Sequence, residues 1–146
     1  MRTRLVLFAF ALTACQTQWP ADEVQDYHII GSIDSLAPDS ALPSVAVIVA
    51  PDECLECSAN IGSWLELRRK YPGHIRIVFS SPPDSTDLIV LRRGRIPIDA
   101  VLSRRLSRRL EPPAVAVRAH SGEVGDVEPA NGKSVTQVAR LLSEHP

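Results

Sequence analysis

The sequence has no strong excess of charge of either sign and no internal repeat or low-complexity tract. It carries 16 basic and 17 acidic residues among 146. A formal charge of −1 does not indicate binding to nucleic-acid phosphates, so we expect no nucleic-acid partner. The length suits one domain. Hydrophobic residues make up 45% of the chain, which is ordinary for a globular protein with a buried core.

Cysteine is scarce, and its odd number is informative. The chain has three, at Cys15, Cys54 and Cys57. A short basic start, Met1–Arg4, precedes an apolar run over residues 5–14, which is shorter than the roughly 20 residues that cross a bilayer. Both features are typical of a secretory signal peptide. An ordinary signal cleaved after Ala11 would leave an odd cysteine in the exported chain.

Residues 12–15, Leu-Thr-Ala-Cys, resemble the lipobox of bacterial lipoproteins. The resemblance implies cleavage before Cys15 and attachment of lipid to its sulfur and its new amino group. We therefore predict a signal peptide over residues 1–14 and a lipid anchor at Cys15 that holds the protein on a bacterial membrane, facing the periplasm or the cell exterior. Lipidation of Cys15 leaves Cys54 and Cys57 as a pair in a compartment that permits disulfides.

The mature chain divides into an N-terminal part, residues 15–43, and a folded domain, residues 44–146. Residues 16–26 are polar and without periodicity, which predicts a tether, and Tyr27–Gly31 predicts a short first strand. Ser44–Ala50 is a continuous apolar run, typical of a strand that is covered on both faces. The apolar spacing that follows predicts a helix from Cys54 to Tyr71.

Further elements follow at short intervals. We predict strands at residues 74–79, 114–119 and 123–127, helices at residues 84–93, 99–110 and 133–144, and an extended piece at residues 96–98. A strand, a helix and a second strand with short links predict a parallel β-α-β unit. The fold class is therefore α/β, with a central mixed sheet, β-α-β then β-β-α, flanked by helices.

This order resembles the redoxin-type, membrane-anchored thioredoxin-like proteins. Four marks carry the resemblance: a strand that leads into Cys54-Leu55-Glu56-Cys57, a helix stop at Tyr71-Pro72-Gly73, Pro113 at the start of a strand, and Ser121-Gly122-Glu123 in the last hairpin. The resemblance covers about residue 44 to the C-terminus. It implies a thioredoxin-like fold and thiol–disulfide oxidoreductase activity.

The two cysteines suit that chemistry because a thiol attacks a disulfide as its thiolate. Cys54 is predicted at a helix N-terminus, where unpaired backbone N–H groups favour an anion. Cys57 lies three residues on, on the same side of the helix. We predict that Cys54 is the nucleophile and that Cys57 resolves its mixed disulfide with an exported, disulfide-bearing client. No cofactor beyond the redox-active Cys54–Cys57 disulfide is expected.

Two neighbouring features refine this prediction. In the family that the chain resembles, a cis-proline faces the cysteine pair. The resemblance implies that Pro113 and the preceding Pro112 contact the substrate, although Pro112 offers a carbonyl and no N–H.

Asp52, Glu53 and Glu56 place negative charge beside the thiols, which raises the pKa of Cys54. A less stable thiolate makes the couple more reducing, so we predict a reductant.

Other readings of the cysteine pair remain. A structural disulfide is one, although so short a loop contributes only about 2 kcal/mol. A non-catalytic or copper-binding thioredoxin-fold protein is another, since two thiolates suit Cu(I). Two cysteines supply half of a tetrahedral zinc site, and no histidine stands at motif spacing from them. The four histidines are His28, His74, His120 and His145.

Arginine is concentrated between residues 92 and 109. The seven are Arg92, Arg93, Arg95, Arg104, Arg105, Arg108 and Arg109. They predict a solvated face opposite Leu102, Leu106 and Leu110. The alternative is a docking surface for anionic lipid headgroups or an acidic partner.

Overall fold

The computed structural model describes residues 27–144. The predicted signal peptide (1–14), the lipidation site at Cys15 and the tether (16–26) lie outside the described residues, as does the side chain of Cys57. No helix in the described part is long and apolar enough to cross a membrane.

Residues 27–144 form six strands and five helices. The strands are β1 (Ile29–Ile30), β2 (Ser44–Val49), β3 (Ile75–Phe79), β4 (Ala100–Leu102), β5 (Ala114–Arg118) and β6 (Glu128–Pro129). The helices are α1 (Leu55–Ala59), α2 (Ile61–Lys70), α3 (Ser85–Gly94), α4 (Arg104–Ser107) and α5 (Gly132–Ser143), with a 3₁₀ turn at Ile33–Ser35. The predicted first strand is present as β1.

The strands form one mixed sheet in the order β1-β4-β3-β2-β5-β6. The pairs β1–β4, β4–β3 and β3–β2 are parallel, whereas β5 is antiparallel to both β2 and β6. The predicted fold class, an α/β arrangement with a central mixed sheet flanked by helices, is confirmed. The predicted parallel β-α-β unit corresponds to β2, α1–α2 and β3.

Strand β2 lies at the centre of the core. All six of its residues are buried, because both faces of the strand are covered, as the non-alternating run predicts. Val45, Val47 and Val49 pack on one face with residues of α1, α2, α3 and α5. Ala46 and Ile48 pack on the other face with Leu106 of α4 and the N-terminal segment that includes Leu36.

The helix predicted over residues 99–110 is wrong in its first half. Ala100–Leu102 instead forms β4, which fills the space between β1 and β3. The N–H of Val101 donates to the carbonyl of His28 at 2.9 Å, and the N–H of Ser103 donates to the carbonyl of Ile30 at 2.8 Å. The helix starts only after Ser103, whose hydroxyl accepts the N–H of Leu106 at 3.3 Å. Distant backbone partners therefore override the local apolar spacing.

The strand predicted at residues 123–127 is displaced. Val124 forms only an isolated bridge with Arg118, and the paired strand β6 follows at Glu128–Pro129. Gly122, with φ +84°, forms the tight turn predicted there. The hairpin therefore has a longer and more irregular second arm than its apolar residues indicate.

The seven arginines between residues 92 and 109 are all exposed, and Leu106 among them is 3% exposed. This arrangement agrees with the predicted solvated face. Docking to anionic lipid or to an acidic partner stays a prediction.

An ion pair joins α2 to the sheet. Arg68 donates to Asp99 from both terminal guanidinium nitrogens, Nη1 and Nη2, and the Nη2–Oδ1 distance is 2.9 Å. Oδ2 of Asp99 also accepts the N–H of Ile77 at 2.7 Å. The side chains of Arg68 and Asp99 are 32% and 23% exposed, so solvent only partly screens the pair. These three bonds hold α2, β3 and the chain leading into β4 together.

Replacing Asp99 with alanine removes all three acceptor contacts at once. We expect the free energy of unfolding to fall by about 3 kcal/mol, because hydrogen bonds to a partly buried charged group contribute about 1.5–3 kcal/mol and the guanidinium is left without its partner. Urea denaturation of the disulfide-intact protein measures this change.

Glu144→Ala is the matched control, because Glu144 pairs with Arg140 at 3.0 Å on the surface at the end of α5, where the side chains of Arg140 and Glu144 are 82% and 53% exposed. Its loss should change the free energy of unfolding by about 0.5 kcal/mol or less. Equal effects of the two substitutions would show that the Arg68–Asp99 pair contributes no more than a surface ion pair.

Candidate functional site

The segment from Pro51 to Cys54 carries the chain from the end of β2 to the start of α1. Cys54 is exposed and lies one residue before the helix, as predicted. Its carbonyl accepts the N–H of Ser58 at 2.9 Å and the hydroxyl of the same residue at 3.0 Å. Cys54 is disulfide-bonded. The first cysteine of the motif thus stands at the helix cap, accessible to solvent.

The predicted continuous helix is broken at Asn60. This residue adopts the left-handed conformation, with φ 51° and ψ 46°, which asparagine tolerates better than most residues. The break separates the short α1 from α2, which carries the core residues Trp64 and Leu67. Residues before and after Asn60 therefore do not share one helical face, and α1 contributes less helix dipole at Cys54 than a continuous helix would.

Glu56 has a structural contact that the sequence does not reveal. The side chain of Asn60 makes no capping hydrogen bond to α2. Instead, Oε2 of Glu56 accepts the N–H of Gly62 at 3.0 Å, so a carboxylate from α1 satisfies a free donor in the first turn of α2. Asp52 and Glu53 are exposed in the loop before Cys54. The three predicted modulating charges therefore differ in their surroundings.

Pro113 and the cysteine motif lie at the same end of the sheet. Ile48 pairs with Ala114 in the antiparallel register of β2 and β5. Val49, which follows Ile48, and Pro113, which precedes Ala114, therefore lie side by side. The Pro112–Pro113 peptide bond is cis, as the resemblance implies. The carbonyl of Pro113 already accepts the N–H of Ala130 at 2.9 Å, which occupies that acceptor within the sheet.

A groove between α1–α2 and α3 opens beside Cys54. Its volume is about 390 Å³. Cys54 and Glu53 line it at one end, and its walls include Leu55, Ile61, Val90 and Leu91. Nothing in the sequence predicts this groove, because it depends on how α3 packs beside α2. The cysteine motif is therefore adjacent to an apolar cleft as well as to the end of the sheet.

The sequence left a metal site as an alternative, and such a site needs a group of ligand side chains that lie close together. Among the side chains that the structure describes, Cys57 not included, there is no group of three or more His, Cys, Asp or Glu residues placed to hold a metal ion. One of the four histidines in the sequence, His74, has its Nδ1 2.6 Å from the carbonyl oxygen of Pro43. The copper-binding alternative, which needs only the two thiolates of Cys54 and Cys57, stays a prediction.

Comparisons with known proteins give one structural likeness. No protein-family model matches the chain, and no curated protein matches it. The chain is similar to a crystal structure of a thiol-disulfide isomerase from Corynebacterium glutamicum, with 11% sequence identity and a TM-score of 0.46. The likeness covers 68% of this chain and 80% of that one.

Proposed function

We propose that the protein is a thiol–disulfide oxidoreductase whose reactive group is the Cys54–Cys57 dithiol. The observation that carries this proposal is the position of Cys54, which is exposed, disulfide-bonded and located at the start of α1, in the short connection that follows the buried strand β2. An exposed sulfur at a helix start is accessible to a partner disulfide and can form a thiolate. Cys57 lies three residues on, in α1, and this spacing suits disulfide exchange with Cys54.

In the proposed reaction the reduced protein transfers two electrons to a client disulfide. The Cys54 thiolate attacks one client sulfur, forms a Cys54–client disulfide and releases the other client sulfur as a thiolate. Cys57, after losing its proton, attacks Cys54 and releases the second client thiolate. The client takes up two protons, and Cys54 and Cys57 end as a disulfide. A dithiol-bearing protein reductant restores the pair for the next cycle.

Replacing each cysteine separately tests the assigned order of attack. Cys57→Ser should accumulate a mixed disulfide through Cys54, because the intermediate forms but cannot be resolved. Cys54→Ser should accumulate none, because the nucleophile is missing. Thiol trapping followed by mass spectrometry identifies the species, with disulfide-bonded insulin as the client. The opposite pattern would reverse the roles, and no adduct with either variant would rule out the exchange reaction.

The direction of electron transfer follows from the charges around the motif. Carboxylates near Cys54 disfavour its thiolate and hence the reduced, thiolate-bearing form. Glu53 is adjacent to Cys54 and exposed, whereas the carboxylate of Glu56 is hydrogen-bonded to the first turn of α2. We therefore infer a reducing couple, closer to thioredoxin, at about −270 mV, than to strong periplasmic oxidants, at about −120 mV.

Two isosteric substitutions separate the contributions of these acids. Glu53→Gln should raise the reduction potential by an amount on the order of 10 mV, because it removes a charge that opposes the thiolate, while solvent screens the effect at this exposed site. Glu56→Gln should raise it less, because the positive end of α2 already offsets that carboxylate. Equilibration with dithiothreitol measures both potentials. An equal shift in both variants would contradict the assigned difference, and a wild-type value near −120 mV would contradict the reducing direction.

We further propose that Cys15 carries the lipid anchor and that the client is an exported protein at the membrane surface. The lipobox and the odd cysteine count support this part of the proposal. Cys15→Ser should move the protein out of the membrane fraction or leave the precursor uncleaved, whereas Cys54→Ser should leave its location unchanged. Membrane fractionation and the intact mass of the mature protein check the two variants. Membrane association that persists in a cleaved Cys15→Ser protein would contradict the anchor.

A further inference from the structure

The groove beside Cys54 continues along α2 and α3 as one cleft. Gly62, Leu65 and Gly94 line both the near part, next to Cys54, and a second part of about 530 Å³. The far part extends to Arg69 and Arg95. The two parts therefore form a channel on the surface that leads from the reactive sulfur towards the C-terminal ends of both helices.

The near part of the cleft has an apolar lining that combines buried residues, such as Leu55 and Ile61, with the exposed Val90. Its walls include Leu55, Ile61, Leu65, Val90 and Ile96. Val90 is 61% exposed, although burial of such a side chain is favourable. A volume of about 390 Å³ lies within the range of sites that bind ligands. The cleft can therefore accept one or two apolar side chains.

The two ends of the cleft differ in charge. Near Cys54 the lining residues that carry charge are the acids Glu53, Glu56 and Asp87, and at the far end they are Arg68, Arg69 and Arg95. Arg68 is already paired with Asp99, whereas the other two arginines are exposed. Among the described residues that line the near part, none is basic. The cleft thus runs from an acidic end at the cysteine to a basic end.

The topology explains this polarity. Strands β2 and β3 are parallel, and α2 and α3 follow their carboxyl ends, so both helices run away from the end of the sheet that holds Cys54. The first turn of α3 contains Asp87, and the last turns of α2 and α3 are basic. Because the two helices run in the same direction, the acidic first turn of α3 lies at the Cys54 end of the cleft and the basic last turns of both helices lie at the other end.

Resting on the thiol–disulfide exchange proposed above, we propose that this cleft binds an extended segment of the client polypeptide next to its reactive cysteine. The segment carries a basic residue beside that cysteine, apolar residues in the middle and an acidic residue at the far end. From Gly62 to Arg69, α2 is about 10 Å long, which matches about three extended residues. A small anionic thiol suits the site poorly, because its carboxylates would meet Glu53 and Asp87.

Two peptides of identical composition test the proposed polarity. Each carries one cysteine in a mixed disulfide with thionitrobenzoate. The matched peptide has Lys beside the cysteine, two Leu residues next and Glu after them, and the reversed peptide exchanges Lys and Glu. When Cys54 of the dithiothreitol-reduced, desalted protein attacks the peptide sulfur, thionitrobenzoate is expelled and its absorbance gives the rate, after which Cys57 releases the peptide thiol.

We expect the matched peptide to react about fourfold faster at low salt, since exchanging the charge at each of its two ends changes the rate about twofold. The ratio should approach one at about 0.5 M salt. The ratio of the two rates is the readout because a change in the intrinsic reactivity of Cys54 affects both peptides equally. Hydroxyethyl disulfide, which is small and uncharged, measures that intrinsic reactivity separately.

Variants locate the effect in the cleft. Arg69→Glu with Arg95→Glu should remove most of the preference, whereas Arg104→Glu with Arg105→Glu on α4 should leave it unchanged. Val90→Ser should slow both peptides about threefold without slowing hydroxyethyl disulfide, because it removes apolar contact area. Ile89→Ser is the matched control, since Ile89 is its neighbour on α3, is 51% exposed and lies outside the cleft lining.

The outcomes separate this inference from the function on which it rests. Equal rates for the two peptides at low salt, with normal reaction of hydroxyethyl disulfide, would overturn the cleft proposal and leave the exchange activity standing. The same conclusion follows if Val90→Ser and Ile89→Ser behave alike. If hydroxyethyl disulfide and both peptides fail to react, the proposed dithiol chemistry itself is refuted, and the cleft proposal fails with it.

Discussion

The carboxylate of Asp99 joins parts of the chain that are far apart in sequence. It accepts hydrogen bonds from Arg68 of α2 and from the backbone of Ile77 in β3, and it stands directly before β4. A carboxylate in this partly buried position is favourable only when its lone pairs are satisfied, and here a bidentate guanidinium and a backbone N–H supply the donors. The position of α2 on the sheet therefore depends on this contact as well as on the packing of Trp64 and Leu67.

The geometry of the segment that carries Cys54, and that of the cleft beside it, depend on the position of α2 on the sheet. Glu56, near the start of α1, is bound to the first turn of α2 at Gly62, so the segment with Cys54 is tied to a helix that is itself tied to the sheet. Leu65 of α2 forms part of the cleft wall facing α3. A shift of α2 would change the support of the reactive loop and the width of the cleft together. Preorganised sites need such support from a rigid scaffold.

Sequence reasoning recovers the features that depend on local pattern. Local sequence patterns are enough to predict the buried β2, the capped α3 after Asp84 and the amphipathic α5. The two cysteines of the motif are read directly from the sequence. Sequence reasoning fails at β4, where Val101 and Leu102 match a helical spacing but obtain their partners from β1 and β3, far away in sequence. The break at Asn60 and the cleft are missed for the same reason, since both depend on the packing of α1, α2 and α3. Ser103, a residue type that favours helix caps, was the available signal for the later helix start.

The acidic residues around Cys54 differ in their hydrogen bonds. This difference affects the stability of the Cys54 thiolate more than the number of acidic residues does. Glu56 satisfies a donor of α2, and Asp87 completes the capping box of α3 with Asp84, so the positive helix ends offset part of their charge. Within the described part of the chain, no hydrogen bond is formed by the carboxylates of Asp52 and Glu53. Since Glu53 is adjacent to Cys54, its charge opposes the thiolate most directly, and it also lies where a client's basic residue would bind. Binding of such a client would neutralise the charge that disfavours the thiolate, so the proposed recognition and the proposed reactivity would be coupled through one side chain.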